Sequence, residues 1–257
     1  MIDPLYTLSG FAVGALVGLT GVGGGSLMTP LLVVLFGIHP ATAVGTDLLY
    51  AACTKSVGVL IHARRDTVDW QVTQRLAAGS LPAAALTLVL LHQLHVHTAA
   101  VSRVITPVLA VAILLTVLLL LFQSQVLEAL GPRSAGLSQR WLKGLTIASG
   151  AVLGVLVTLT SVGAGALGVS VLTLLYPRLS PARIVGSDIA HAIPLTLLAG
   201  AGYWYLGAVD WGLLGSLLSG SVPGVIVGSL LATRMPTLVV RGMLAATLTL
   251  VAGKLLV

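Results

Sequence analysis

The chain has 257 residues, of which 57% are hydrophobic and 8% charged, with a formal net charge of +6. A soluble domain carries about 25% charged residues, so a water-wetted globule of this size is excluded. The basic residues lie near the ends of apolar stretches, where they set membrane topology, and nucleic acid is not an expected partner.

In chain order, the first apolar segment covers residues 5–36. It is interrupted near its middle by Thr20, Gly21, Gly23, Gly24, Gly25 and Ser26. No basic stretch precedes it, unlike a secretory leader, so it is read as part of the fold. Apolar segments follow at 41–63, 71–91 and 98–122, each near the roughly 20 residues that a bilayer span needs. A polar stretch, 123–140, carries the helix breakers Gly131, Pro132 and Gly136. The next segment, 141–176, is interrupted around Thr160, Ser161, Gly163 and Gly165. Segments 182–206, 211–233 and 237–257 complete the chain.

The two series are copies of one unit. Leu19-Thr-Gly-Val-Gly-Gly-Gly25 matches Leu159-Thr-Ser-Val-Gly-Ala-Gly165, and Pro40-Ala-Thr-Ala-Val-Gly-Thr-Asp47 matches Pro181-Ala-Arg-Ile-Val-Gly-Ser-Asp188. Val68-Asp-Trp70 matches Val209-Asp-Trp211, and Gly79-Ser-Leu-Pro82 matches Gly220-Ser-Val-Pro223. The offset is 140 at the glycine run and 141 beyond it. The expected organisation is an all-α polytopic membrane protein with a first repeat at 1–122, a connecting loop at 123–140 and a second repeat at 141–257.

Two topologies fit this pattern. The broken leading segment of each repeat either crosses the membrane or turns back as a re-entrant hairpin. The hairpin arrangement places Arg64, Arg65, Arg75, Arg133, Arg140, Lys143, Arg178, Arg183, Arg234 and Arg241 on one side. Only Arg103 and Lys254 then lie on the other, with Lys55 set aside at mid-span. The crossing arrangement divides the charges almost evenly. The positive-inside tendency favours the hairpin, and with it inverted repeats, six full crossings and two extracytoplasmic termini. Each hairpin arm should hold roughly 12–18 residues, about 18–27 Å at 1.5 Å per residue.

Irregular backbone at membrane depth is tolerated where it is buried in protein or lines a cavity. The glycine breaks also start new half-helices whose amides face the centre, an arrangement suited to a small anion. Close helix packing through small residues is the competing explanation for the glycines. The expected substrate ligands are Thr20, Gly21, Gly23, Gly24, Gly25, Ser26, Lys55, Thr160, Ser161, Gly163 and Gly165. Asp69 and Asp210 precede helices and read as N-caps. Asp47 and Asp188 occupy equivalent positions about two turns into a span, where a carboxyl is a functional candidate or a brace for the hairpin. His191 lies one turn after Asp188 and could relay a proton. Lys55, equivalent to Thr196, could neutralise an anion or pair with Asp188.

His92, His95 and His97 crowd one loop, but lack the spacing that would mark a metal site. The single cysteine, Cys53, excludes an internal disulfide and a cysteine-built metal site. No nucleophile with a base and orienting group emerges, so no enzyme activity, cofactor or metal is expected. The unit resembles the TauE/SafE sulfite-exporter family. The likeness rests on Gly14-x3-Gly18-Leu-Thr-Gly21-Val-Gly-Gly-Gly25-x4-Pro30, Ala43-Val-Gly-Thr46, Arg64-Arg65-x3-Val68-Asp-Trp70, Ile184-Val-Gly-Ser-Asp188 and Val209-Asp-Trp211. The resemblance implies transport of sulfite, sulfonates or related organic acids across the cytoplasmic membrane. With the intramembrane carboxyls it points to a proton-coupled secondary transporter working by alternating access, which could form homo-oligomers. An anion channel and a non-transporting component of a membrane complex are the alternatives.

Overall fold

The computed structural model describes residues 3–20, 25–62, 67–96, 98–134 and 138–232. The last expected span, 237–257, lies outside the described residues, as do Gly21, Gly23, Gly24, Arg64, Arg65, Asp66, His97, Arg234, Arg241 and Lys254. The described residues form an all-helical protein: α1 (Pro4–Thr20), α2 (Gly25–Phe36), α3 (Pro40–His62), α4 (Trp70–Gln93), α5 (Ala99–Ser134), α6 (Gln139–Thr160), α7 (Ala166–Leu175), α8 (Pro181–Tyr205) and α9 (Trp211–Ala232). A helix satisfies its own amides, as a chain in lipid must. Among the described residues, α4, α6, α8, α9 and the 99–119 part of α5 are long and apolar enough to cross a membrane. The protein is a multi-pass membrane protein. Leu86, Leu90, Val111, Leu121, Val152 and Leu230 point outward into what must be lipid.

Each glycine break lies between two helices that return to one face. Tyr6, near the start of α1, stacks edge-on against Phe36, the last residue of α2, with ring centroids 4.9 Å apart. Thr146, near the start of α6, hydrogen-bonds the hydroxyl of Tyr176, just past α7, at 2.9 Å. The arms of 17 and 12 residues in the first hairpin fall within the expected length. Those of 22 and 10 in the second do not. The long arm starts early: Thr146, about two turns into α6, is the residue that lies level with the end of α7.

The two repeats interlock. Small residues at four-residue spacing let backbones touch. Carbonyls of Leu217 and Ser221 on α9 fill the space beside Gly10 and Gly14 of α1. Carbonyls of Leu76 and Ser80 on α4 do the same beside Gly150 and Gly154 of α6. These contacts repeat at the 140–141 offset, so the first helix of each repeat runs parallel to a later helix of the other. At the centre α3 packs on α8. Thr46 Oγ1 accepts from the Asp210 amide at 3.1 Å, and Ser187 Oγ accepts from the Asp69 amide at 2.8 Å. The start of each central helix therefore meets the residues that follow the end of the other, and the equivalent helices α3 and α8 run antiparallel. One face gathers the turns before α4, α6 and α8. The other gathers the turns before α3, α5 and α9.

The connector differs from expectation. α5 continues without a break through Gln123, Gly131 and Pro132 to Ser134. A proline removes one amide and opposes the carbonyl four residues earlier, so its effect falls on the turn before it. Here the helix ends only two residues beyond it. The loop expected at 123–140 is thus mostly helix.

Candidate functional site

Asp47, Lys55, Asp188 and His191 are all buried in the paired central helices. The insertion of a carboxyl or ammonium at the centre of a membrane helix costs about 2.5–3.5 kcal/mol on insertion scales. What each group meets decides whether that cost is offset by structure.

Asp47 is supplied at one oxygen, while its Oδ1 is buried without a hydrogen-bond partner. Its Oδ2 accepts from the Thr29 amide at 3.1 Å and from Thr29 Oγ1 at 2.6 Å. Both residues lie seven positions from the α2–α3 turn, so the carboxylate ties the returning arm of the first hairpin to α3. Charge-assisted bonds of this kind contribute about 1.5–3 kcal/mol each, enough to offset its burial. The Ser161 hydroxyl lies within reach of this carboxylate but closes no hydrogen bond with it.

Asp188 sits at the equivalent place on α8 and differs. The residues matching Met28 and Thr29 are Gly168 and Val169. The Asp188 carboxylate occupies the space that a side chain on Gly168 would fill, and Val169 offers no hydroxyl. Both Asp188 oxygens are buried without a hydrogen-bond partner.

Lys55 reaches across the repeat interface. Its Nζ donates to the carbonyl of Ala164, inside the second glycine break, at 2.6 Å. It interacts electrostatically with Asp188 most strongly and with Asp47 next, without a direct hydrogen bond to either. His191 Nε2 and Ser80 Oγ are 2.7 Å apart, while His191 Nδ1 has no partner. His191 also senses the Lys55 charge. Ser80 is a site residue that the sequence alone did not single out. Its signal was its place in the repeated Gly79-Ser-Leu-Pro82.

The second break is a formed turn. Ser161 ends α6 in the left-handed conformation at φ 58°, and Gly163 and Gly165 take φ values of 120° and 142°. L side chains rarely adopt these backbones, so the glycines are required by the turn. Thr160 Oγ1 donates to the Leu156 carbonyl at 2.6 Å and accepts from the Val162 amide at 3.1 Å. It braces the turn and has little left for a ligand. Ser161 Oγ is buried and unbonded. α7 then begins at Ala166 with no side chain capping its first amides. In the first hairpin, Thr20 ends α1, and Gly25 and Ser26 begin α2.

Asp69 and Asp210 are N-caps: Asp69 Oδ1 accepts from the Gln71 and Val72 amides at 3.1 Å, and Asp210 Oδ1 accepts from Leu213 at 2.9 Å. The His92 ring lies 6.4 Å from that of Tyr205, tilted against it.

The family model described as "Sulfite exporter TauE/SafE" matches residues 6–255. The chain is 40% identical over 221 residues to the "Probable membrane transporter protein YjnA" of Bacillus subtilis (strain 168), covering 85% of each chain. It is 28% identical over 227 residues to YdhB, named likewise, of the same organism, covering 86% of each. A "Probable membrane transporter protein" of Methanocaldococcus jannaschii is 33% identical over 86 residues, about 32% of each chain. No solved structure matches the chain.

Proposed function

The chain belongs to the TauE/SafE sulfite exporter family, and on that premise we propose that it is a secondary transporter of small sulfur-containing anions, coupled to protons. The family and its relatives support a membrane transporter. The observation that supports the finer reading is the set of unmet polar groups where the repeats join. Asp188, Ser161 Oγ and His191 Nδ1 are buried without hydrogen-bond partners, beside Lys55 and the start of α7, which no side chain caps. Buried polar atoms left unpaired cost about 1–3 kcal/mol each, and a bound anion with its proton would meet those needs.

In this reading the α7 amides and Ser161 donate to the anion and Lys55 supplies fixed positive charge. Asp188, with His191 beside it, takes up and releases the coupling proton. Gly163 and Gly165 shape the turn, with Thr160 as its brace. Asp47 holds the returning arm of the first hairpin against α3. The repeats are inverted across the membrane, as the antiparallel α3 and α8 suggest. The face bearing Arg75, Arg140, Lys143, Arg178 and Arg183 is cytoplasmic, and both termini are extracytoplasmic. The membrane is the cytoplasmic membrane. Alternating access then rocks the interlocked pairs α1–α9 and α4–α6 about the α3–α8 axis.

Labelled sulfite flux into proteoliposomes tests this, with and without an imposed pH gradient. The expected result is saturable uptake that the gradient accelerates. Flux that rises linearly with concentration and shows no counterflow would point to a channel. Absent flux from folded protein would remove sulfite as substrate.

A further inference from the structure

Each hairpin closes on its own face, and the two closures differ in chemistry. On the arginine-bearing face, Arg75 Nη1 donates to the Tyr176 hydroxyl at 3.3 Å, and that hydroxyl is also bonded to Thr146. Arg75 and Tyr176 share a cleft of about 290 Å³ with Asp69, Gln71, Gln139 and Arg178. Pockets for drug-sized molecules start near 300 Å³, so this one suits a small solute. On the opposite face the repeat puts Tyr6 for Thr146, Phe36 for Tyr176 and Ser216 for Arg75. There the two aromatic rings stack. Ser216 accepts from the Asp3 amide at 3.0 Å and donates to the Gly212 carbonyl at 2.8 Å. Asp3 and Asp210 lie on this face, as does Arg103 at the start of α5. One hairpin therefore closes beside a cleft holding Arg75 and Arg178, and the other closes on stacked aromatic rings with no guanidinium at the equivalent position.

One wall of the cleft adjoins the buried site. The amide of Asp69 donates to Ser187 Oγ, and the next residue is Asp188, whose oxygens have no hydrogen-bond partner. We propose that the Arg75–Tyr176 cleft is a docking vestibule for a small oxyanion, from which the anion passes to the buried site. This rests on the transporter reading above and adds an entry site and a sidedness to it. The guanidinium fork matches the oxygens of a sulfite or sulfonate group. Tyr176 holds that fork in place and is displaced as an acceptor when the anion arrives. A cationic cleft raises the local concentration of anions on its own side by about tenfold or more, and the closure opposite, with Ser216 in the place of Arg75, has no guanidinium there to do so.

Two measurements test the vestibule. In membrane vesicles of both orientations, Arg75→Gln should raise the KM for labelled sulfite about tenfold from the arginine-bearing face only, with kcat little changed. Arg75→Lys should recover part of the loss, and Tyr176→Phe should leave KM no higher than the parent's. An unchanged KM, or an equal rise from both faces, would overturn the proposal. The second measurement needs no transport. With Cys53→Ser and Gln71→Cys, an anionic methanethiosulfonate should modify the cleft faster, relative to a cationic one, than it does when Arg75→Gln is added. A ratio unmoved by Arg75→Gln overturns the vestibule. A ratio that falls about tenfold while the parent shows no sulfite flux supports the cleft and removes sulfite transport instead.

Discussion

Asp47 and Asp188 are the same residue in two copies of one unit, yet their surroundings assign them different work. Thr29 gives Asp47 two donors, whereas Gly168 gives Asp188 only room. Asp47→Ala should strand the Thr29 amide and hydroxyl and lower stability by about 2 kcal/mol, read as reduced thermal stability in detergent. Asp188→Asn should leave most of the folded yield, because no hydrogen bond is lost and Lys55 keeps its interaction with Asp47, while flux no longer responds to a pH gradient. A large loss of stability in Asp188→Asn would return it to a bracing role. The sequence made the pair legible through the repeat. It did not show the asymmetry, because that depends on whether the adjoining hairpin arm offers a hydroxyl. Thr29 against Val169 carried that information, but only once α2 was known to return beside α3. The same holds for Thr160, whose hydroxyl is used by its own turn and was expected at the ligand.

At the scale of helices, the glycines divide by what faces them. Gly79 presses on the Ile147 carbonyl of α6, whereas Gly144 has open space. Gly79→Ala should cost about 1–3 kcal/mol through overpacking and separate α4 from α6. Gly144→Ala should be neutral or slightly stabilising, since alanine favours helix by up to about 1 kcal/mol. Thermal unfolding of both variants checks this. The two explanations offered for glycine therefore both apply, at different positions: backbone contact along α1, α4, α6 and α9, and turn geometry at Gly163 and Gly165. Sequence spacing alone could not separate them. The extent of α5 departs from expectation for a related reason, since Gly131 and Pro132 weaken a helix locally without fixing where it ends.

For the whole molecule, the directions of α3 and α8 give a labelling pattern. On a Cys53→Ser background, Ser180→Cys and Tyr205→Cys lie at turns on opposite faces. An impermeant thiol reagent added to intact cells should reach Tyr205→Cys and not Ser180→Cys. Reaction at both, or the reverse pattern, would refute the proposed orientation. Charge counting favours this arrangement, because arginines collect at the ends of spans. The interlock of the repeats was not legible, since no local pattern records which distant helix a small-residue stripe will meet.

That interlock has a consequence for how the protein is made. The contact of Gly10 with Leu217 joins residues 207 apart, so α1 enters the membrane long before its partner is synthesised. Its glycine stripe stays in lipid, or against a temporary partner, until α9 emerges. Neither half carries the mate of its own first helix. The halves produced as separate chains should each be short-lived and degraded, yet persist and assemble when made together in one cell.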